Sequence, residues 1–342
     1  MNDQDKLTLN KKKEYGSIEE ESIEKILLKD VQIGEKICKC SYGYIAFGKR
    51  IKTNKVYSVK ILKKSKLLDD KFVERQYNEY KNLSLIYHPF IIELKGINYT
   101  DPFNLYYFFE LVPGGSLRIY SKAYKIFPLD FAKFYSASLI TVLDYLHKKN
   151  IIHRNIRLEN ILINPNGYIK LTEFTFSKKL KSDLTYSICG MPEYYSPEMI
   201  QKSGHNKSID FWQIGILLYE MLIGNLPFFD SDPVKLYNKI NKGKVYFPKN
   251  INENVKLIIR QFLNIDMNKR LGCNKRGIYE IIKHPFFKDF DWEGLLHRRL
   301  EPPFIPNIRR FNVNNNYKKI DEILMEENIE PLPKENDPFY NW

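Results

Sequence analysis

The pattern of apolar residues changes at one short segment, PGG at Pro113–Gly115. Before it, short runs rich in aromatic and β-branched residues, such as VYSVKIL and LYYFFELV, are typical of β-strands. After it, long stretches such as LDFAKFYSASLITVLDYLHKKN and DFWQIGILLYEMLIG are typical of helices. A strand-rich first third followed by a helix-rich remainder predicts an α+β fold with a small lobe and a larger helical lobe.

The composition narrows the class of protein. The 342 residues are 43% hydrophobic, which is enough for one large core or two lobes, and no apolar run approaches the ~20 residues of a membrane span. The N-terminus lacks the order of a signal peptide, and Asn2 stands where N-myristoylation requires glycine. The cysteines show neither metal-ligand spacing nor a dense disulfide framework; they are Cys38, Cys40, Cys189 and Cys273. These features predict a soluble protein of the cytoplasm or another intracellular compartment.

The net charge of +13 has two interpretations. A basic surface can bind nucleic acid, anionic lipid or acidic proteins. Alternatively, lysine residues are spread over solvated faces, which we favour because the local cluster Lys11–Lys13 is short.

Both ends of the chain differ from its centre. Residues 1–30 are polar and predict an N-terminal arm with a short helix over Ser17–Asp30, capped by Ser17 with Glu20 three positions on. From Lys288 the chain becomes irregular, with PPFIP, NNN and EEN, and it ends on FYNW.

Several motifs occur in a fixed order through the centre. They are VYSVK, LYYFFELVPGGSL, HRNIRLEN, GYIKLTEFTFSKKL and CGMPEYYSPEMI, followed by PFIP and FYNW. From about Val31 to Trp342 the chain resembles a eukaryotic protein kinase of the AGC group, and in detail the catalytic subunit of cyclic-AMP-dependent protein kinase. The resemblance implies a kinase domain over 31–287, with an antiparallel-sheet small lobe (31–112) and a helical large lobe (113–287). A C-terminal tail of the AGC type (288–342) follows.

The resemblance implies ATP and Mg²⁺ as cofactors. Lys60 matches the lysine that pairs with the ATP phosphates, Glu79 the glutamate that positions it, and Asn160 a metal ligand. Ile45 and Leu162 match residues that sandwich adenine. The full set of implied nucleotide-binding residues is Ile37, Gly43, Ile45, Lys60, Glu110, Val112 and Leu162.

Other matches are structural. Phe174 is expected to stack with Leu83, Leu94 and His153 in an apolar column between the lobes. Further positions match residues that brace the large lobe: Glu198, Asp210, Gly215 and Arg270.

The phosphate loop departs from the family pattern of three glycines. It reads Cys38-Lys39-Cys40-Ser41-Tyr42-Gly43, so only Gly43 remains. Glycine lets backbone N–H groups approach phosphate closely, so two cysteines are expected to hinder that approach.

The catalytic positions depart as well. Asn155 replaces the aspartate that accepts the substrate proton, and Arg157 replaces a lysine that reaches the transferring phosphate. Glu173-Phe174-Thr175 replaces Asp-Phe-Gly, so Glu173 remains a metal ligand whose longer side chain suits octahedral Mg²⁺ less well. A positive φ at the β-branched Thr175 is expected to be costly. Met191 replaces a threonine that braces the catalytic loop.

Regulatory positions are retained in part. Ser187 matches an activation-loop phosphorylation site, and Arg154 matches the arginine that receives the phosphate. Glu159 and Glu220 match acidic residues that recognise basic residues in peptides, whereas Ser116 replaces a third. Phe339 and Trp342 match the hydrophobic motif that docks the tail onto the small lobe.

Three functional hypotheses follow. The leading one is a pseudokinase with a weakened Mg²⁺ site that regulates or scaffolds protein partners, among them a cyclic-AMP-binding regulatory subunit. The alternative is an active serine/threonine kinase with an atypical site. Nucleic-acid binding is a weaker alternative that depends on net charge alone.

Overall fold

The computed structural model describes residues 23–308, 317–327, 331–340 and 342. These residues form a small lobe around a seven-stranded sheet and a large lobe built mainly of helices. The predicted two-lobed α+β fold is therefore confirmed. Among the helices of the described residues, none is both long and apolar enough to cross a bilayer.

The sheet of the small lobe has the strand order β1-β5-β6-β4-β3-β2-β11. Neighbouring strands are antiparallel except β1 and β5, which are parallel. The strands are β1 (Glu24–Lys25), β2 (Val31–Cys40), β3 (Gly43–Arg50), β4 (Val56–Lys63), β5 (Leu94–Asn98), β6 (Asn104–Glu110) and β11 (Lys318–Lys319).

The predicted N-terminal helix is wrong over the part that the structure describes. Residues 24–25 form β1, and a 3₁₀ turn at Leu28–Asp30 follows. Ile26 is buried, and Asn98 Nδ2 donates to its carbonyl oxygen at 2.9 Å. Sheet pairing and this burial outweigh the local helical preference. Residues 17–22, with the predicted cap Ser17, lie outside the described residues.

The two faces of the sheet serve different purposes. Because side chains alternate along a strand, Val59 and Ile61 of β4 face one side and Lys60 and Leu62 the other. The side with Val59 forms a separate core, to which Ile320 of the tail contributes. The tail, predicted to be irregular, thus supplies strand β11 and helix α10 (Ile320–Glu327) to the small lobe.

Helix α1 (Asp70–Ser84) packs against the other face of the sheet. Asp69 caps it by accepting a hydrogen bond from the Lys71 N–H at 2.9 Å. Its buried side chains include Glu79, which is thereby directed toward Lys60 of β4.

The large lobe surrounds the buried helix α5. Its helices are α2 (Leu117–Tyr124), α3 (Leu129–Lys148), α4 (Pro197–Ile200), α5 (Ser208–Ile223), α6 (Pro233–Lys242), α7 (Glu253–Phe262) and α8 (Ile278–Ile282), and α9 (Trp292–Leu296) of the C-terminal tail packs against α3. Its short strands are β7 (Ile151–Ile152), β8 (Ile161–Ile163), β9 (Ile169–Leu171) and β10 (Lys178–Lys179), which pair as β8 with β9 and β7 with β10.

Buried polar contacts fix the loop that follows β7. Asp210 at the start of α5 accepts the backbone N–H groups of His153 and Arg154 at 3.0 and 2.8 Å. Glu198 and Arg270 form two hydrogen bonds of 2.7 and 2.9 Å, and the Arg270 side chain is fully buried. Breaking such a buried pair on one side typically costs ~3–5 kcal/mol, so these contacts hold the large lobe in one arrangement.

Candidate functional site

Lys60 and Glu79 form a buried ion pair between the sheet and α1. Lys60 Nζ lies 3.0 Å from each Glu79 carboxylate oxygen, and the side chains are 4% and 1% exposed. Burial opposes the charge on Lys60, but the carboxylates of Glu173 and Glu79 raise its pKa above the ordinary value. The ammonium group therefore stays charged.

Thr175 joins this ion pair. Lys60 Nζ donates to its hydroxyl oxygen at 2.8 Å, and the hydroxyl donates to Glu79 Oε2 at 2.8 Å. The predicted strain at Thr175 is wrong, because Thr175 lies in a 3₁₀ turn and the positive φ, 62°, falls on Glu173. The substitution thus adds a contact between α1 and the segment that carries Glu173.

The two candidate metal ligands, Glu173 and Asn160, are held by different contacts. Glu173 Oε2 is 3.7 Å from Lys60 Nζ. Asn160 Nδ2 donates to the backbone oxygen of Asn155 at 2.8 Å, so the amide oxygen of Asn160 is the atom left for a cation. A carboxylate and an amide oxygen are ligands that suit Mg²⁺. In the described residues there is no cluster of three or more His, Cys, Asp or Glu side chains arranged as metal ligands.

The catalytic loop holds Asn155 and Arg157 differently. Asn155 is half-buried, and its backbone N–H contacts His153 Nδ1 at 3.3 Å. Arg157 is held by Glu159, with 2.8 Å between Nε and Oε2, and its Nη1 contacts Met191 Sδ. In this arrangement the guanidinium group points to Glu159 and Met191, so Met191 is a neighbour of Arg157.

The residues predicted to contact adenine differ in exposure. Ile45 and Leu162 are half-buried, Val112 is buried, and Ile37 is 38% exposed. The Glu110 carboxylate pairs with Lys170, with 2.6 Å between Oε1 and Nζ. Among them, Ile45 lies directly opposite Lys60 in the β3–β4 register.

The hairpin that replaces the glycine loop contains two cysteines. Cys38 is exposed and Cys40 is half-buried. Burial raises the pKa of Cys40 to about 11, so its thiol is protonated at neutral pH and is not a reactive thiolate. The backbone packing explains why position 43 is glycine, since a Cβ there would lie 1.8 Å from the Ile61 carbonyl oxygen.

The apolar column between the lobes is assembled. The rings of His153 and Phe174 meet edge to face at 4.7 Å. Leu83 and Leu94 belong to the same buried core as Phe174. Burial lowers the pKa of His153 to about 4, so its ring is neutral at pH 7.

The activation segment brings Ser187 to Arg154. Arg154 Nη1 donates to Ser187 Oγ at 2.7 Å. Burial raises the pKa of the nearby Cys189, and the charges of Arg154, Arg75 and Lys178 oppose this shift. Arg154, Arg75 and Lys178 therefore act on Cys189, two residues from Ser187. No sequence motif indicates Arg75, whereas Lys178 is the basic residue just after FTFS.

The tail reaches the small lobe through its last residues. Phe339 is fully buried, and the Trp342 ring lies 5.5 Å from Tyr77 and 6.4 Å from Tyr80 of α1. The tail also makes a buried ion pair that no sequence motif indicates. Lys64 Nζ lies 2.5 Å from Asp337 Oδ2.

The acidic residues expected to recognise basic peptides lie close together. Arg118 of α2 donates to Glu159 at 2.7 Å and to Glu220 at 2.6 Å. No sequence motif indicates Arg118, because residues 118, 159 and 220 are brought together only by the fold.

The structure combines a charged lysine, two candidate metal ligands and an arginine bound to the activation-segment serine. Comparisons with known proteins agree with this arrangement. The profile of the family described as "Protein kinase domain" matches residues 31–287. The chain is 38% identical over 301 residues to the cAMP-dependent protein kinase catalytic subunit of Dictyostelium discoideum, which covers 87% of this chain and 46% of that protein.

Two animal proteins give similar matches. The chain is 37% identical over 282 residues to the human cAMP-dependent protein kinase catalytic subunit PRKX, covering 82% of this chain and 78% of that protein. It is 36% identical over 295 residues to catalytic subunit 3 of Drosophila melanogaster, covering 86% and 50%. The chain spans about half the length of the Dictyostelium and Drosophila proteins. The chain therefore belongs to the protein kinase domain family and is similar to the catalytic subunits of cAMP-dependent protein kinases.

Proposed function

We propose that this chain is a pseudokinase, a kinase-shaped protein that acts by binding protein partners. The observation that carries the proposal is the catalytic loop. Asn155 offers a neutral amide where proton transfer requires a base, and Arg157 is held by Glu159 at 2.8 Å. A general base typically contributes ~10²–10⁴ in rate, so its loss alone slows phosphate transfer strongly.

Nucleotide binding remains part of the proposal. Lys60 would hold the ATP phosphates, with Ile45 and Leu162 against the adenine. Glu173 and Asn160 would hold Mg²⁺, which when bound neutralises phosphate charge. Support comes from the charged Lys60 and from the Asn160 amide oxygen, whereas the two cysteines of the hairpin add bulk beside the phosphates. The site therefore favours weak nucleotide binding.

Partner binding is supported by the retained framework. The kinase domain is assigned to 31–287, with lobes 31–112 and 113–287, preceded by an arm over 1–30. The tail, 288–342, docks through Phe339 and Trp342, whose contacts with the small lobe support that role. The partners are proteins that also bind an active relative, such as a cAMP-binding regulatory subunit or its substrates.

A γ-phosphate transfer assay on purified protein with Mg²⁺ or Mn²⁺ tests the proposal. Kinases turn over at ~1–100 s⁻¹, so a loss of ~10⁴ at the base leaves at most ~10⁻² s⁻¹. The control is a variant with Asn155→Asp, Arg157→Lys, Glu173→Asp and Thr175→Gly, expected to be at least tenfold faster. Turnover near 1 s⁻¹ in the unchanged protein would overturn the proposal.

An active serine/threonine kinase is the second candidate, and specific contacts favour it. The Lys60–Glu79 pair is closed at 3.0 Å, and Arg154 contacts Ser187 at 2.7 Å. If this candidate is right, Lys60→Met abolishes transfer, and ATP stabilises the protein in a thermal-shift experiment only with Mg²⁺. Activity that survives Lys60→Met would indicate a contaminating kinase.

Nucleic-acid binding is the weaker alternative and depends on the net charge of +13. Electrostatic binding of this kind falls steeply with salt. Failure to bind nucleic acid even at low salt would exclude this alternative.

A further inference from the structure

One arginine of the chain bridges two carboxylates in the peptide cleft. Arg118 lies in the first turn of α2, Glu159 follows the catalytic loop, and Glu220 lies in α5. Arg118 Nε donates to Glu159 Oε1 at 2.7 Å, and Nη1 donates to Glu220 Oε1 at 2.6 Å. Two charge-assisted contacts from one planar guanidinium fix both its position and its orientation.

The remaining oxygens of the two carboxylates also have donors from the chain itself. Arg157 Nε donates to Glu159 Oε2 at 2.8 Å, and the Tyr194 hydroxyl donates to Glu220 Oε2 at 2.5 Å. Each of the four carboxylate oxygens therefore accepts a hydrogen bond from this protein. The two negative charges are balanced by two arginines, so the cluster offers an incoming cation little net attraction.

Partial burial makes these contacts persistent. The side chains of Arg118 and Glu220 are 28% and 8% exposed. Burial alone would raise the pKa of Glu159, but hydrogen bonds from Arg157 and Arg118 lower it to about 2. Glu159 and Arg118 are therefore both charged at neutral pH, and charged hydrogen bonds of this kind are the strongest.

Glu159 and Glu220 are the positions that the family resemblance assigns to recognition of basic peptide residues. We propose that Arg118 occupies this acidic pair from within, so that the cleft takes peptide segments that lack arginine at that position. The inference deepens the proposed function and rests on it, because the cleft is where a partner segment would bind.

Competition favours the internal arginine. Arg118 is attached to the same fold as both carboxylates, so its effective concentration is in the millimolar range, whereas a peptide arginine is present at the concentration of the partner. Ser116, at the N-terminus of the same helix, stands where the family has a third acidic residue. Ser116 and Arg118 thus both weaken the attraction of this site for basic peptides.

A peptide-binding experiment tests the inference. The probes are two fluorescent peptides that differ only at two adjacent residues, arginines in one and glutamines in the other, N-terminal to an alanine at the acceptor position. The unchanged protein should bind both within about threefold. The Arg118→Met variant keeps an apolar stem and should bind the arginine peptide at least tenfold more tightly than the glutamine peptide.

Matched variants make the result specific. Lys122→Met removes an exposed positive charge from the same helix and should leave the two affinities unchanged. Adding Glu159→Gln and Glu220→Gln to Arg118→Met should abolish the gain. Arg118→Lys keeps the charge but loses the two-point contact, so it should give a smaller gain; it also serves if Arg118→Met does not fold.

Two outcomes would overturn the inference. One is a tenfold preference of the unchanged protein for the arginine peptide. The other is a folded Arg118→Met variant that gains no preference, including the case in which neither peptide binds. Since the readout is binding to a peptide without an acceptor hydroxyl, rapid turnover in the transfer assay would contradict the pseudokinase proposal and leave this inference standing.

Discussion

The hydroxyl of Thr175 gives a single residue an unexpected role beside the buried ion pair. It lies 2.8 Å from both Lys60 Nζ and Glu79 Oε2. Glycine at this position could make neither contact. The substitution that looked like a loss of backbone freedom therefore ties the segment with Glu173 to α1.

Replacing Thr175 with valine should weaken this tie. Valine keeps the shape and the β-branch but removes both hydrogen bonds, so we expect a loss of about 1 kcal/mol in the free energy of unfolding. Urea denaturation measures it. Thr175→Ser keeps a hydroxyl and should stay within a few tenths of a kcal/mol of the unchanged protein. Equal stability of the valine and serine variants would show that the hydroxyl contributes nothing.

Among the elements, the tail is the one whose contribution is least visible in the sequence. Lys64 follows β4 and is fully buried, with Nζ 2.5 Å from Asp337 Oδ2 and 2.6 Å from the Tyr99 carbonyl oxygen. Phe339 is buried nearby, and Trp342 packs on α1. The tail thus fixes both the end of β4 and the helix that carries Glu79.

Removing the Asp337 carboxylate should be costly, because Lys64 would be left as a buried charge without its partner. We expect Asp337→Ala to lower the free energy of unfolding by about 3 kcal/mol. The double variant Lys64→Met, Asp337→Leu removes both charges and should lie within about 1 kcal/mol of the unchanged protein. Urea denaturation of all three proteins tests this. A double variant as unstable as Asp337→Ala would contradict the ion-pair explanation.

The sequence predicts those elements whose own residues carry the signal, and it fails for elements that depend on pairing with distant residues. The central strands and the long helices follow from periodicity, because each buries a continuous apolar face. Strands β1 and β11 have only two residues each and are charged, so pairing with β5 and β2 defines them. The same reason explains the site. Lys60 and Glu79 were predicted through motifs, whereas Arg118 was missed because its two partners lie far away in the sequence.

At the scale of the whole molecule, the two lobes are joined by more than one connection. Leu171 of the large lobe exchanges backbone hydrogen bonds with Phe90 and Ile92, at 2.7 and 2.9 Å. The side chains of Glu110 and Lys170 pair at 2.6 Å at the same place. We therefore expect the two lobes to unfold together, in one transition with a single free energy of unfolding.

Buried histidines make that free energy depend on pH. Burial lowers the pKa of His88 to about 3 and the pKa values of His153, His205 and His284 to about 4, from an ordinary value of 6.5. Between about pH 4 and 6.5 the unfolded chain therefore binds protons at these residues that the folded protein does not bind. Stability is complete above pH 6.5 and is lost as the pH falls.

Urea denaturation between pH 5 and 7 should show this loss. His88 and His153 each contribute a slope of up to about 1.4 kcal/mol per pH unit. His284→Asn is the matched variant, since His284 Nδ1 accepts the Phe286 N–H at 3.0 Å and asparagine can cap the same turn. Proton uptake on unfolding at pH 5 should be smaller by up to one proton in this variant. A stability that is constant from pH 7 to pH 5 would show that the folded protein accepts these protons, and thus that the buried rings open to solvent without unfolding.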